Sequence, residues 1–168
     1  MHILDTIKTR RSIRKYKDKP VEKKKLFNVL EAARLAPSAM NKQPYRLVVV
    51  TEREIVRKLI STCNQDWTTP MIIVVCAFPS EAWTREDGEQ YWKVDAAIAM
   101  HNISMVAVEE GLGTCWIAAF KEYEVKRILG IPPQARVMAM TPLGYPDEKK
   151  GPVTRRKSLK ELVRYEKW

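Results

Sequence analysis

Three arginines and a hydroxyl stand within five residues near the start of the chain, Arg10-Arg11-Ser12-Ile13-Arg14. A guanidinium is a planar, permanently charged fork whose geometry suits phosphate. Three such groups in one short segment repel one another unless an anion lies among them. One helix-length later comes a polar loop bounded by prolines, Pro37-Ser38-Ala39-Met40-Asn41-Lys42-Gln43-Pro44. Together, a basic cluster and such a loop can hold an anionic ligand with a polar, planar head. For the surrounding lysines, a solvated basic face without a partner is the alternative.

Other chemistries find little support. The two histidines, His2 and His101, have no partner at ligand spacing, so no metal site is expected. His101 falls inside the longest helical pattern and reads as a core or interface residue. No G-x-S-x-G elbow occurs, and Ser12 sits among arginines rather than beside a base. Cys115 follows a Gly-Leu-Gly-Thr turn, where apolar neighbours favour a packed thiol over a reactive one. Neither a G-x-G-x-x-G nor a P-loop pattern is present. With no acid, base or nucleophile set in view, an enzyme built on this chain needs a cofactor for the hard step.

The elements that must position these groups can be read in order. Residues 3–9 read as a short helix. A second helix starts at Pro20, runs to Ala36 with Leu26, Phe27, Leu30 and Ala33 on one face, and stops at Pro37. Residues 46–51 form a β-branched strand, 54–61 a helix, and 71–78 a continuous apolar strand buried on both faces. Residues 79–90 are a polar loop with one exposed-looking aromatic, Trp83. Residues 91–111 form the longest helix, apolar nearly all round, as at a deep core or a subunit interface. A strand at 114–118, a helix at 121–129, a strand at 136–142 and a last helix at 158–165 follow. Without a βαβ rhythm, the pattern is α+β: a mixed sheet flanked by helices.

Composition sets the bounds. A chain of 168 residues is expected to be one domain, 1–168, with apolar content enough for a core. Its three scattered cysteines form no disulfide framework, and no signal-peptide or membrane-length apolar run is visible, so the cytoplasm is expected. The net charge of +10 is uneven: residues 1–25 carry +7, residues 26–148 carry −3 and residues 149–168 carry +6. Basic ends suit phosphate, on a small ligand or on nucleic acid.

Five segments, collinear over essentially the whole chain, resemble the FMN-dependent nitroreductases: RRSIRKY at 10–16, PSAMNKQPY at 37–45, VDAAIAMHNISMVAVEEGLGTCWIAAF at 94–120, GIPPQARVMAMTPLGYP at 130–146 and TRRKSLKEL at 154–162. The resemblance implies a mainly antiparallel nitroreductase-like fold and a domain-swapped-type homodimer with FMN at each subunit interface. It implies that Arg10 and Arg11 hold the phosphate and ribityl end and that Ser12 contacts ribityl or flavin oxygens. Arg14 would lie along the N1/O2 edge, where a fixed cation favours the negative charge that reduction places there. Pro37, Ser38, Ala39, Met40 and Asn41 of the other subunit would pack on the ring, with Gln43 a weaker candidate. Trp116 and Ile117 would line it, and backbone N–H groups at Ala118 and Ala119 would face N5 and O4. Arg156 matches the second phosphate arginine, which Arg155 or Lys157 would assist. Asn64 is left unassigned, because its spacing is shorter than in larger relatives.

The implied activity is NAD(P)H oxidation with ping-pong reduction of a nitroaromatic, quinone or similar small electron acceptor through flavin N5, with no protein residue as catalyst. Neither nucleic acid nor membrane is an expected partner. A flavin carrier without turnover, or a basic nucleic-acid-binding protein, are the rival readings. The chain also departs from the family pattern. Tyr45 stands where Trp is usual, Ala118-Ala119 replaces a glycine-containing pair, and residues 79–90 are the only stretch available as a lid.

Overall fold

A computed structural model describes residues 2–63 and 65–168. Met1 and Asn64, the second left unassigned above, lie outside the described residues.

Four strands form one antiparallel sheet in the order β1-β2-β4-β3. They are β1 (Tyr45–Val50), β2 (Met71–Ala77), β3 (Gly113–Thr114) and β4 (Arg136–Gly144). The central strand β2 is buried at every position, because alternate side chains enter two different layers. Met71, Ile73, Val75 and Ala77 pack beneath α2 (Lys23–Arg34) and α4 (Trp92–Glu109). Ile72, Val74 and Cys76 face α3 (Arg53–Ser61) and α5 (Glu122–Leu129). The continuous apolar run expected at 71–78 is therefore the middle layer of a three-layer molecule.

Helix boundaries are tighter than the sequence pattern. Helix α2 begins after Glu22, so Pro20 lies outside it. Its inward stripe is Leu26, Val29, Leu30 and Ala33, whereas Phe27 is 63% exposed. The residues 26, 29, 30 and 33 follow the helical period, and Phe27 falls off that stripe by one residue. The strand expected at 114–118 is regular only over Gly113–Thr114, with one further bridge from Ile117 to Met140. The last helix shrinks to one turn, α6 (Leu159–Leu162), closed by a Ser158–Glu161 capping box.

Helix α4 packs one face on α2 and the sheet. Its opposite side leaves Val94 44% exposed and His101 exposed. Helix α1 (Ile3–Thr9) packs on α4 and also presents Ile3, Leu4 and Ile7 outward. Residues 151–168 are exposed throughout, including Leu159, Leu162, Tyr165 and Trp168. Among the described residues, no helix is long and apolar enough to cross a membrane.

Candidate functional site: an arginine edge and a strained loop

Segment 10–16 runs beside β3 as an irregular outer strand. Ser12 bridges Thr114 in parallel, and the Ile13 N–H donates to the Thr114 carbonyl at 2.9 Å. Alternation sorts Ser12, Ile13 and Arg14, and the exposed Lys15 breaks it before Tyr16. Ile13 and Tyr16 turn inward and are buried, while Arg14 is exposed and Ser12 half-buried. Close approach at Ile13 requires a glycine opposite. A Cβ on Gly113 would stand 2.8 Å from Ile13 Cβ. The Tyr16 hydroxyl donates to the Ile13 carbonyl, and burial pushes its pKa far up.

Glu148, which sequence reasoning did not single out, fixes the segment from outside. Its Oε1 accepts the Arg14 N–H at 2.6 Å and the Lys15 N–H at 3.3 Å, and its other oxygen pairs with Lys150 at 2.8 Å. The Lys150 contact and the Arg14 N–H hold this carboxyl below the usual range, against partial burial. The Arg14 guanidinium lies 5.9 Å from the centroid of the Trp67 ring, a second group the motifs did not show. Arg11 is committed differently: its donors reach the carbonyls of Lys8, Arg10 and Gly151 at 2.6, 2.7 and 2.7 Å. That leaves Arg10 and Arg14 as the freer guanidinium groups of the cluster.

Cys115 follows Thr114, the residue that Ser12 bridges. Burial raises this thiol's pKa, and Arg14, the Ser12 hydroxyl and Arg10 oppose the rise. The thiol is buried, as a packed core cysteine would be. Beyond it, Trp116 is 42% exposed. Ile117 differs from expectation. Its backbone exchanges hydrogen bonds with Met140 at 2.9 and 3.0 Å, which turns its side chain into the core at 4% exposure. Only its backbone is therefore available at the edge. Ala118 and Ala119 are exposed, and their N–H groups donate to no protein acceptor among the described residues.

The loop after α2 is a strained turn. Met40, Asn41 and Gln43 adopt φ of 52°, 53° and 48°, left-handed backbone that residues with a Cβ seldom enter. Cross-braces hold it. The Gln43 N–H donates to Ser38 Oγ at 2.9 Å, and the Ala39 N–H donates to Asp95 Oδ1 at 2.9 Å. Met40 projects outward, 76% exposed. The polar stretch 79–90 adjoins the same end of the molecule through an Arg46–Glu81 ion pair at 2.9 Å. It forms a small hairpin with a Thr84–Gln90 bridge, in which half-buried Trp83 meets Tyr91 edge-on at 4.9 Å.

Within one chain these two parts do not meet. The loop enters β1 at Tyr45, which pairs with Ala77. Segment 10–14 lies beside Thr114, which pairs with Leu143, itself opposite Met71. Met71 and Ala77 are the two ends of β2, about 20 Å apart at strand rise. Arg156 stands in the exposed tail with no hydrogen bond or ion pair among the described residues. A cleft of about 660 Å³ at Tyr123, Ile131 and Arg136 lies at the opposite end of β4 from Leu143, away from the arginine edge. No group of three potential metal ligands occurs among the described residues.

These features define a three-layer α+β protein with an open cationic edge and a separate rigid loop. The nitroreductase family model matches residues 7–70 and 62–145. A putative NADH dehydrogenase/NAD(P)H nitroreductase of Methanothermobacter thermautotrophicus is 33% identical, covering 100% of this chain and 88% of its own length. A nitroreductase family protein of Clostridium difficile superposes with TM-score 0.94 at 33% identity, covering 100% of both chains. A second Clostridium difficile structure, an FMN-dependent nitroreductase, gives TM-score 0.83 at 31% identity, over 98% of this chain and 99% of that one. The chain belongs to the nitroreductase family.

Proposed function

We propose that the protein is an FMN-dependent NAD(P)H oxidoreductase, working as a homodimer on nitroaromatic, quinone or similar small acceptors. The observation that carries this is the separation of the two half-sites. The arginine edge and the strained loop stand about 20 Å apart in one chain, and in this reading a second copy brings its loop to the arginines of the first. The uncovered apolar faces of α1 and α4 and the exposed tail supply surface for that copy. Domain 1–168 then acts as one unit, and the cytoplasm is the proposed compartment.

The residues fit the cofactor. Arg10 and Arg14 offer charge for a phosphate and for an electron-rich ring edge. The N–H groups of Ala118 and Ala119, without an acceptor among the described residues, offer two donors to a heteroatom edge. Pro37, Ser38, Ala39, Met40 and Asn41 offer a rigid surface for the ring face. Arg156, exposed in the tail, would add its charge at the phosphate, and Arg11 would serve mainly by fixing the local backbone. Bound FMN would supply hydride acceptance and donation at N5. The chain itself would orient the ring, favour negative charge beside Arg14 and shield the site with the hairpin at 79–90.

The test is an absorbance spectrum of the purified protein. A yellow protein bleached by NAD(P)H without oxygen and recoloured by menadione or a nitroaromatic is expected. A colourless protein that binds no added FMN contradicts the proposal. A yellow protein that NAD(P)H does not bleach reduces it to a flavin carrier.

A further inference from the structure

Asp95 lies one turn into α4 and is 1% exposed. A buried carboxylate is costly unless both oxygens find donors. Only Oδ1 does, from the Ala39 N–H at 2.9 Å; Oδ2 is buried without a partner among the described residues. An orphan of this kind in a native fold calls for a reason. The reason on view is the loop it touches, where Met40, Asn41 and Gln43 are all left-handed.

The loop's base is secured separately. The Tyr45 hydroxyl donates to the carbonyls of Ala33 and Ala36, both at 3.1 Å, tying β1 to the end of α2. Burial, and then the negative charge of Asp95, push that hydroxyl's pKa up. Between base and tip, the Ala39–Asp95 bond joins the start of the strained turn to α4. Without it, three residues gain by leaving the left-handed region.

We infer that Asp95 is a positioning residue that holds loop 38–43 in its ligand-facing shape. This rests on the reading of that loop as the surface for the flavin ring. The arginine edge, at the other end of the sheet, is independent of Asp95. Losing Asp95 therefore removes ring contact and leaves phosphate contact intact. The loss should fall equally on FMN and on riboflavin, which lacks the phosphate.

The experiment is fluorescence titration of the full-length protein with FMN and with riboflavin, for wild type, Asp95→Ala, Asp95→Asn and Arg10→Ala. Asp95→Ala should weaken both flavins by roughly tenfold or more, the effect of losing a hydrogen bond to a charged group. Asp95→Asn keeps an oxygen for the Ala39 N–H and should stay within about threefold of wild type. Arg10→Ala should weaken FMN and spare riboflavin. Hydrogen exchange supplies a readout free of flavin. In Asp95→Ala the Gln43 amide should exchange faster while Val74 in β2 keeps its protection. If Asp95→Ala does not fold, Asp95→Leu, which fills the same buried volume without an acceptor, takes its place and should give the same equal loss. Asp95→Ala or Asp95→Leu binding riboflavin as the wild type does overturns the inference, as does Asp95→Asn failing as badly as Asp95→Ala. A wild type that binds neither flavin refutes the flavin reading instead, and Gln43 exchange then still tests the hold of Asp95.

Discussion

Gly113→Ala is a one-carbon change that should reach the cofactor site through the core. The added Cβ would stand 2.8 Å from both Cβ and Cγ1 of Ile13 and 3.0 Å from its Cγ2. A relaxed carbon–carbon contact is about 3.6 Å, so Ile13 must retreat by about 0.8 Å. No rotamer of Ile13 relieves this, because its own Cβ is among the clashing atoms. The backbone between Ser12 and Arg14 must move, against the Ile13–Thr114 bond and the Glu148 clamp. Overpacking of this kind costs about 1–3 kcal/mol, and each kcal/mol lowers Tm by about 2–4 °C at this chain length. The shift also exceeds the roughly 0.5 Å to which a binding site must be held. FMN affinity should therefore fall about tenfold, equal to 1.4 kcal/mol. Gly130→Ala is the control. Gly130 has φ +65° with open space around its Cβ, so alanine there costs backbone strain and moves no site residue. Calorimetric melting and FMN titration of both variants decide the matter. Gly113→Ala with wild-type FMN affinity would refute the proposed link from Gly113 through Ile13 to the arginines.

Two further outcomes follow from named contacts. Arg14→Ala should weaken FMN about tenfold or lower the bound flavin's reduction potential, since a charge-assisted contact is lost; titration and potentiometry with both values unchanged would remove its assigned role. Glu122 accepts from Arg136 at 2.9 and 3.0 Å, and this pairing holds its carboxyl below the ordinary 4.5. Because the native value is depressed, its stabilising effect is complete above about pH 5.5 and is lost as pH falls through the native value. The Tm deficit of Glu122→Gln should therefore shrink on acidification, and a deficit constant down to about pH 3 would contradict this.

Much of the fold was legible because periodicity is local. The β-branched runs of β1 and β2 and the helical spacing of α3 and α5 need no distant partner to be read. Phe27 and Pro20 misled because neighbouring residues satisfied the same loose pattern, and only packing chose Val29 over Phe27. The arginine edge was visible as composition, yet its supports were not. Glu148 reaches Arg14 across 134 residues and Asp95 reaches Ala39 across 56, contacts that leave no periodic trace. The left-handed turn at Met40, Asn41 and Gln43 was hidden because none of the three is glycine. The inward turn of the Ile117 side chain was not legible, because its bridge to Met140, 23 residues on, decides it.

The central claim, that each flavin site is shared between two copies, is tested most directly by mixing two damaged proteins. Arg14→Ala spoils the arginine edge, and Met40→Asp places a charge on the exposed loop tip, where an aspartate tolerates left-handed backbone. Each variant alone should bind FMN weakly. Unfolded together and refolded in equal amounts, half the dimers pair one of each, and each such dimer carries one undamaged site. Full-affinity FMN binding should then return to about one quarter of the wild-type sites. No recovery on mixing, with dimers confirmed by sedimentation, would place the whole site within a single chain and contradict the account.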